Sequence, residues 1–110
     1  MIKDDDVEKA VEYLRISAQE AAEARAQMKY LSEYLKSKVA QIATKQDGMS
    51  AAAAEHFAKA HPDYIQLLEG YKVAVERDAF FTFKREAADA LIRAWQTMRA
   101  TARAEGRAYS

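Results

Sequence analysis

The fold follows from residues 17–46, SAQEAAEARAQMKYLSEYLKSKVAQIATKQ, which contain neither glycine nor proline and are rich in strong helix formers. Ser17-Ala18-Gln19-Glu20 has the spacing of a capping box, which predicts that a helix begins at Ser17. Asp47-Gly48 predicts its end, because glycine readily adopts the left-handed conformation found after helices. Apolar or small residues recur at alternating three- and four-residue steps, with Lys38 in the one gap, as in a coiled coil: Ala21, Ala24, Met28, Leu31, Leu35 and Ile42.

The flanking sequence completes a plan of two long helices. Ser50 predicts the cap of a short helix over residues 50–60, which stops before Pro62 because a residue preceding proline avoids the helical region. Pro62 then begins a second long helix over residues 62–104. Residues 1–16 form an N-terminal segment or a short helix. The sequence thus predicts a single all-α domain over residues 1–110, an elongated helical hairpin with a short connecting helix.

The last helix carries two apolar stripes that do not share one face. Tyr64, Leu68, Tyr71 and Val75 form the first stripe, and the second begins five residues later at Phe80. Either the helix is kinked near residues 76–79 or its two halves pack on different partners. The second stripe is wider than one neighbouring helix can cover, which predicts a homo-oligomer. The predicted oligomer interface consists of Phe80, Phe81, Phe83, Leu91, Trp95 and Met98.

Composition excludes several classes of function. The chain has no cysteine, so it has neither a disulfide framework nor a thiolate metal site. His56 and His61 do not share a helical face, and phosphate-loop motifs are absent, so we expect no metal, no cofactor and no enzymatic activity. The acidic N-terminus does not resemble a secretory signal, and no apolar run is long enough to span a membrane. We therefore expect a soluble, cytoplasmic protein.

Charge alternates along the chain, although the net charge is zero. Residues 1–24 and 47–83 are mainly acidic, whereas residues 25–46 and 84–110 are mainly basic. Two interpretations are open. If the two long helices fold antiparallel, acidic residues 1–24 lie beside basic residues 84–110, and basic residues 25–46 lie beside acidic residues 62–78. The Ser17 end of the first helix would then contact residues 95–107, and the charges would pair within a hairpin or between subunits. Alternatively, some of the basic residues stay free to bind phosphate.

Basic and aromatic residues alternate on both long helices, which is the mixture that binds single-stranded nucleic acid without sequence preference. The cations contact phosphates and the rings stack on bases. Tyr34 belongs to this pattern on the first helix, and the phenylalanines of the last helix are better explained by packing. The candidate nucleic-acid-binding residues are Lys29, Tyr30, Lys36, Lys38, Lys84, Arg85, Arg93, Arg99 and Arg103.

The order of these elements resembles a known family. The resemblance rests on four segments: Ser17-Ala18-Gln19-Glu20-Ala21-Ala22, Lys29-Tyr30-Leu31, Ala60-His61-Pro62-Asp63-Tyr64 and the run REAADALIRAW over residues 85–95. Over about residues 13–104 the chain is similar to short helical tailed-phage proteins described as UvsY-like recombination mediators. The resemblance implies a ring-like oligomer that binds single-stranded DNA and helps a recombinase displace single-strand-binding protein, with no nucleotide or metal. The alternative is a helical protein-binding adaptor or inhibitor without nucleic-acid affinity.

Overall fold

The computed structural model describes residues 1–109, with side chains described as far as Arg107, and these residues form three helices. Helix α1 spans Asp4–Ala43, α2 spans Ala51–Ala60 and α3 spans Pro62–Tyr109. The predicted all-α fold, with two long helices and a short helix between them, is confirmed. No helix within the described residues is long and apolar enough to cross a membrane.

The chain packs as two compact units, and each contains a part of α1 and a part of α3. Unit 1 comprises residues 1–21 together with the described chain from Phe80 onward. Unit 2 comprises residues 22–79 and therefore includes the whole of α2. The boundary within α3 falls where the sequence suggested a change of apolar face, although α3 is helical without a break through residues 76–79.

Helix α1 begins at Asp4, so the predicted helix start at Ser17 is wrong. Ser17 lies inside the helix and is only 6% exposed. The physical reason is that the three-and-four spacing extends back through Ser17 to Val7, and every position in this row is buried or half-buried. We call this row the α1 seam: Val7, Ala10, Leu14, Ser17, Ala21, Ala24, Met28, Leu31, Leu35, Lys38 and Ile42.

Local signals around α2 are confirmed in detail. The Ser50 hydroxyl accepts a hydrogen bond from the backbone N–H of Ala53, and His61 is extended with a ψ of 137° directly before Pro62.

The end of α1 was predicted less well, because the helix stops at Ala43 and not at Gln46. Gly48 does adopt a left-handed conformation, with a φ of +77°, but it lies in the linker to α2 and does not cap α1.

Helix α3 has a seam of its own, and this corrects the two predicted stripes. Its members, spaced by three and four residues, are all buried or half-buried: Tyr64, Leu67, Tyr71, Ala74, Asp78, Phe81, Arg85, Ala88, Ile92 and Trp95. Leu68, Val75, Phe80 and Phe83, which the apolar pattern selected, are exposed instead. The apolar pattern missed the seam because Asp78 and Arg85 occupy two of its positions.

Within each unit α1 and α3 run antiparallel. In unit 1 the Trp95 indole Nε1 donates to Asp4 Oδ1 at 3.0 Å, and Arg85 meets Ser17. The predicted contact of Ser17 with residues 95–107 is therefore wrong, because α1 begins earlier than expected and Asp4 takes that place. In unit 2 the predicted pairing of basic residues 25–46 with acidic residues 62–78 occurs twice, as Arg25–Asp78 at 3.1 Å and Lys38–Asp63 at 3.9 Å.

Candidate nucleic-acid interface

Two tyrosine rings lie side by side on α1 in unit 2. Tyr30 and Tyr34 are one helical turn apart, and their ring centroids are separated by 6.0 Å with an interplanar angle of 31°. Tyr30 is 61% exposed and Tyr34 is 36% exposed. The side chains at i and i+4 share a helix face, so the backbone itself holds this pair together. The result is an exposed aromatic surface of the kind on which bases stack.

The three lysines of α1 that were predicted to bind nucleic acid differ in whether their side chains already pair with a carboxylate. Lys29 is exposed and, among the described residues, makes neither a hydrogen bond nor an ion pair. Lys36 is bound to Glu33 at 3.1 Å, but both side chains are largely exposed, so the pair is weak and open to exchange. Lys38 lies on the α1 seam and faces Asp63, with its side chain only 23% exposed. Lys29 is thus the most available of the three.

Arg85 is engaged between the helices of unit 1. Its Nη1 donates to the backbone carbonyl of Leu14 and to the hydroxyl of Ser17, both at 2.7 Å. Both bonds are partly buried, and hydrogen bonds from a charged donor are among the stronger ones in proteins. A guanidinium held in this way serves packing between the helices, so Arg85 is not available to bind a phosphate.

The remaining predicted cations of α3 are exposed but mostly occupied. The Lys84 ammonium lies 4.7 Å from the Tyr13 ring centroid and 5.4 Å from that of Phe80. Arg93 pairs with Asp89 at 2.9 Å. Arg99 stacks over Trp95 at 5.5 Å, whereas Arg103 is exposed and its side chain has no partner among the described residues. These cations follow one another along the part of α3 that belongs to unit 1, whereas the tyrosine pair belongs to unit 2.

The predicted oligomer residues separate into two groups. Phe81 and Trp95 belong to the α3 seam, where both are half-buried, and Leu91 is half-buried beside it. Phe80, Phe83 and Met98 are exposed by 57%, 68% and 38%. Phe80 and Phe81 are neighbours in sequence, and their rings meet edge to face at 5.4 Å. The structure therefore divides the predicted interface between intramolecular packing and an open surface.

Unit 2 also contains two clefts that the sequence did not predict. The larger, of about 390 Å³, lies between α1, α2 and the start of α3 and is lined by Ser32, Leu35, Lys36, Val39, Glu55, Lys59 and Tyr64. On its rim Lys59 hydrogen-bonds Glu55, which lowers the pKa of the Glu55 carboxyl and raises that of the Lys59 ammonium. The smaller, of about 200 Å³, is lined by residues that include Phe57 and His61. Such clefts form where three helices converge, and the periodic pattern of apolar residues along a single helix does not predict where helices meet.

Among the described residues, no group of three or more His, Cys, Asp or Glu side chains is arranged so that it could hold a metal ion. Comparisons with protein-family models, with curated proteins and with solved structures gave no match. Two surfaces are candidates for binding a partner: the tyrosine pair of unit 2 and the exposed apolar residues of unit 1.

Proposed function

We propose that this chain is a non-catalytic recombination accessory protein of the phage-mediator type, which binds single-stranded DNA as a homo-oligomer and assists the loading of a recombinase. The observation that carries the DNA-binding part is the exposed Tyr30–Tyr34 pair, preceded in sequence by Lys29, which has no partner among the described residues. We call these three residues the tyrosine surface.

The tyrosine surface suits single strands and not duplexes. Stacking of a base on an aromatic side chain contributes about 1–3 kcal/mol per base and requires a base whose face is not covered by its duplex neighbours. Every base has a π-face, so this stacking does not depend on sequence. Lys29 is sequence-adjacent to Tyr30 and supplies a positive charge for a phosphate. The expected binding is therefore independent of sequence and sensitive to salt.

Self-association turns this weak site into a useful one. One subunit offers two rings and few available cations, and its net charge is zero. Several subunits along one strand would present the tyrosine surface repeatedly, and linked weak sites gain orders of magnitude in avidity. Assistance to a recombinase would then consist of holding the strand open, with the recombinase and single-strand-binding protein as its partners. This role needs no bound nucleotide or metal.

The direct test is the binding of a fluorescein-labelled oligothymidylate, followed by anisotropy as salt is raised. We expect binding at low salt that weakens steadily, and loss of about tenfold or more in the double variant Tyr30→Ala, Tyr34→Ala. The variant Tyr30→Phe, Tyr34→Phe keeps both rings and should bind as the parent does. Val73→Ala is the matched control, because Val73 is also an exposed apolar residue of unit 2.

A protein-binding adaptor is the second candidate, favoured by the exposed phenylalanines of unit 1. It would bind no oligonucleotide even at low salt. Parent protein without any affinity in that experiment would overturn the mediator proposal and favour the adaptor.

A further inference from the structure

One side of α3 changes character between the two units. The row of positions 66, 69, 73 and 76, spaced by three and four residues, carries Gln66, Glu69, Val73 and Glu76 in unit 2. The same spacing continues in unit 1 through Phe80, Phe83, Ala87, Ala90 and Ala94. All of these residues of unit 1 are exposed. A solvent-facing row that is mainly polar in one part of a helix and apolar in the next indicates a surface that something covers.

This surface is wide enough to receive a helix. Leu91 and Met98 adjoin the row, since they are spaced by three or four residues from Ala87 and Ala94. We name the outer face as the set of exposed or half-buried residues that share this side of α3 in unit 1: Phe80, Phe83, Ala87, Ala90, Leu91, Ala94 and Met98. It contains no charged residue. The nearest cation on one flank, Lys84, is held over the rings of Tyr13 and Phe80.

The arrangement of large and small side chains is self-complementary. The outer face has Phe80 and Phe83 at one end and Met98 at the other, and the residues between them are Leu91 and three alanines. If a second α3 crosses in the antiparallel direction, Phe80 of each copy meets Met98 of the other, and Ala87 meets Leu91. Large side chains then fall opposite small ones at the centre, which permits close packing of the two helices.

The charges on the flank of the outer face select the antiparallel direction. Glu86 and Arg93 lie along the same edge, and Glu86 has no hydrogen bond or ion pair among the described residues. In an antiparallel pair centred between Ala87 and Leu91, Glu86 of one copy lies opposite Arg93 of the other, twice by symmetry. In a parallel pair, this edge of one copy would face the opposite edge of the other, so Glu86 and Arg93 would not meet and the pairing would be lost.

We propose that the outer face is a two-fold interface on which α3 of a second copy packs antiparallel, with Glu86 of each copy paired to Arg93 of the other. A two-fold axis places the same patch on both subunits, as self-complementarity requires. The inference deepens the self-association in the proposed function, but it does not depend on DNA binding.

The first experiment measures the oligomeric state of the protein without DNA, by sedimentation equilibrium. We expect a dimer, or an even-numbered assembly built from it, and its loss in Ala87→Glu, which places a carboxylate at the centre of the outer face. Ala26→Glu is the matched control, since Ala26 is an exposed alanine of α1 in unit 2. Circular dichroism shows whether both variants keep their helices. A parent protein that stays monomeric, or a folded Ala87→Glu variant that stays dimeric, overturns the proposal.

The second experiment tests direction and does not depend on a disruptive substitution. The chain has no cysteine, so single cysteines can be introduced cleanly. Ala90 lies close to the proposed axis, and Ala90→Cys should cross-link to its own copy with a short bismaleimide. Thr97→Cys should not, because the two copies of residue 97 would be about 24 Å apart along the helices. Cross-linking of Thr97→Cys as efficient as that of Ala90→Cys would indicate a parallel pair and overturn the proposal.

Charge exchange gives a third readout of the same interface. Glu86→Arg and Arg93→Glu should each weaken the dimer, and the double variant should restore it. A double variant that is weaker than both single variants contradicts the pairing. DNA binding by a protein that oligomerises but fails the tests of direction and charge pairing would leave the proposed function standing and remove only the interface. A dimer that passes them but binds no DNA would do the reverse.

Discussion

Arg85 donates from one nitrogen, Nη1, to both the hydroxyl of Ser17 and the carbonyl of Leu14, each at 2.7 Å. This places a charged side chain and a polar side chain at seam positions where a coiled coil normally has apolar residues. The contact satisfies the hydrogen-bonding capacity of the Ser17 hydroxyl in a buried position. It joins Arg85 to two residues distant in sequence, Ser17 at a separation of 68 positions and Leu14 at a separation of 71. Because these two polar side chains satisfy each other, they favour the alignment of α1 with α3 in which Ser17 lies opposite Arg85 in unit 1.

Ser17→Ala should therefore destabilise the protein through Arg85. We expect a loss of about 1 kcal/mol in the free energy of unfolding, the typical contribution of a hydrogen bond, slightly more because the donor is charged. In an Arg85→Leu background the same change should be neutral or stabilising, because alanine is the better helix former. Urea denaturation of the four proteins measures this. Equal effects in both backgrounds would contradict the coupling, and Ser37→Ala, at an exposed position of α1, is the control.

Two glycines should respond in opposite ways to replacement by alanine. Gly48 has a φ of +77° and open space around it, so Gly48→Ala meets no clash and its cost is conformational, about 1–2 kcal/mol. Gly70 lies inside α3 and also has open space, so Gly70→Ala should stabilise by up to ~1 kcal/mol. Thermal unfolding of both variants checks the signs. A stabilising Gly48→Ala would show that the linker does not need the left-handed conformation.

The single tryptophan reports on the start of α1. Trp95 Nε1 donates to Asp4 Oδ1 at 3.0 Å, although Asp4 lies outside the first long helix, which was predicted over residues 17–46. Asp4→Ala removes the acceptor and should change the fluorescence of Trp95 in the folded protein, at little cost in stability because the bond is exposed. Asp5→Ala is the control, since Asp5 pairs with Lys9 on the same helix. A spectrum unaffected by Asp4→Ala would contradict the contact.

Removal of Lys29 should change DNA binding more than removal of a paired cation. Each lost phosphate contact reduces the salt dependence of binding to a single strand by about 0.7 in the log–log slope. We expect this change for Lys29→Ala. Lys36→Ala should change the slope less, because Lys36 already pairs with Glu33. The double variant Arg99→Ala, Arg103→Ala keeps Arg93 for the proposed dimer and should bind nearly as the parent does, because neither residue belongs to the tyrosine surface. A large loss would return the DNA-binding surface to the end of α3.

Acid should weaken α2 through Glu55. The hydrogen bond from Lys59 lowers the pKa of the Glu55 carboxyl in the folded protein. Its stabilising effect is therefore complete above the ordinary pKa of a glutamate and is lost as pH falls through the lowered value. NMR titration of Glu55 should show a pKa closer to the ordinary one in Lys59→Met. An unchanged titration of Glu55 in Lys59→Met would contradict the interaction.

The sequence by itself determined the helical class and the boundaries around α2. Ser50 caps its own helix, and Pro62 prevents its neighbour from being helical, so both signals act within a few residues and needed no tertiary contact. The tyrosine pair was also readable, because side chains one turn apart share a face of any helix. The coiled-coil spacing of α1 was recognised for the same reason.

Only the tertiary structure decided which polar residues are buried. Ser17 resembles a helix cap locally, and Arg85 resembles a phosphate-binding cation, but each satisfies the other across the two helices. Asp78 is likewise accommodated on the α3 seam by Arg25 of α1. An apolar pattern omits such positions, so it shifted the predicted face of α3 onto Phe80 and Phe83. The burial of a polar group depends on a partner distant in sequence, and that partner exists only once the helices are aligned.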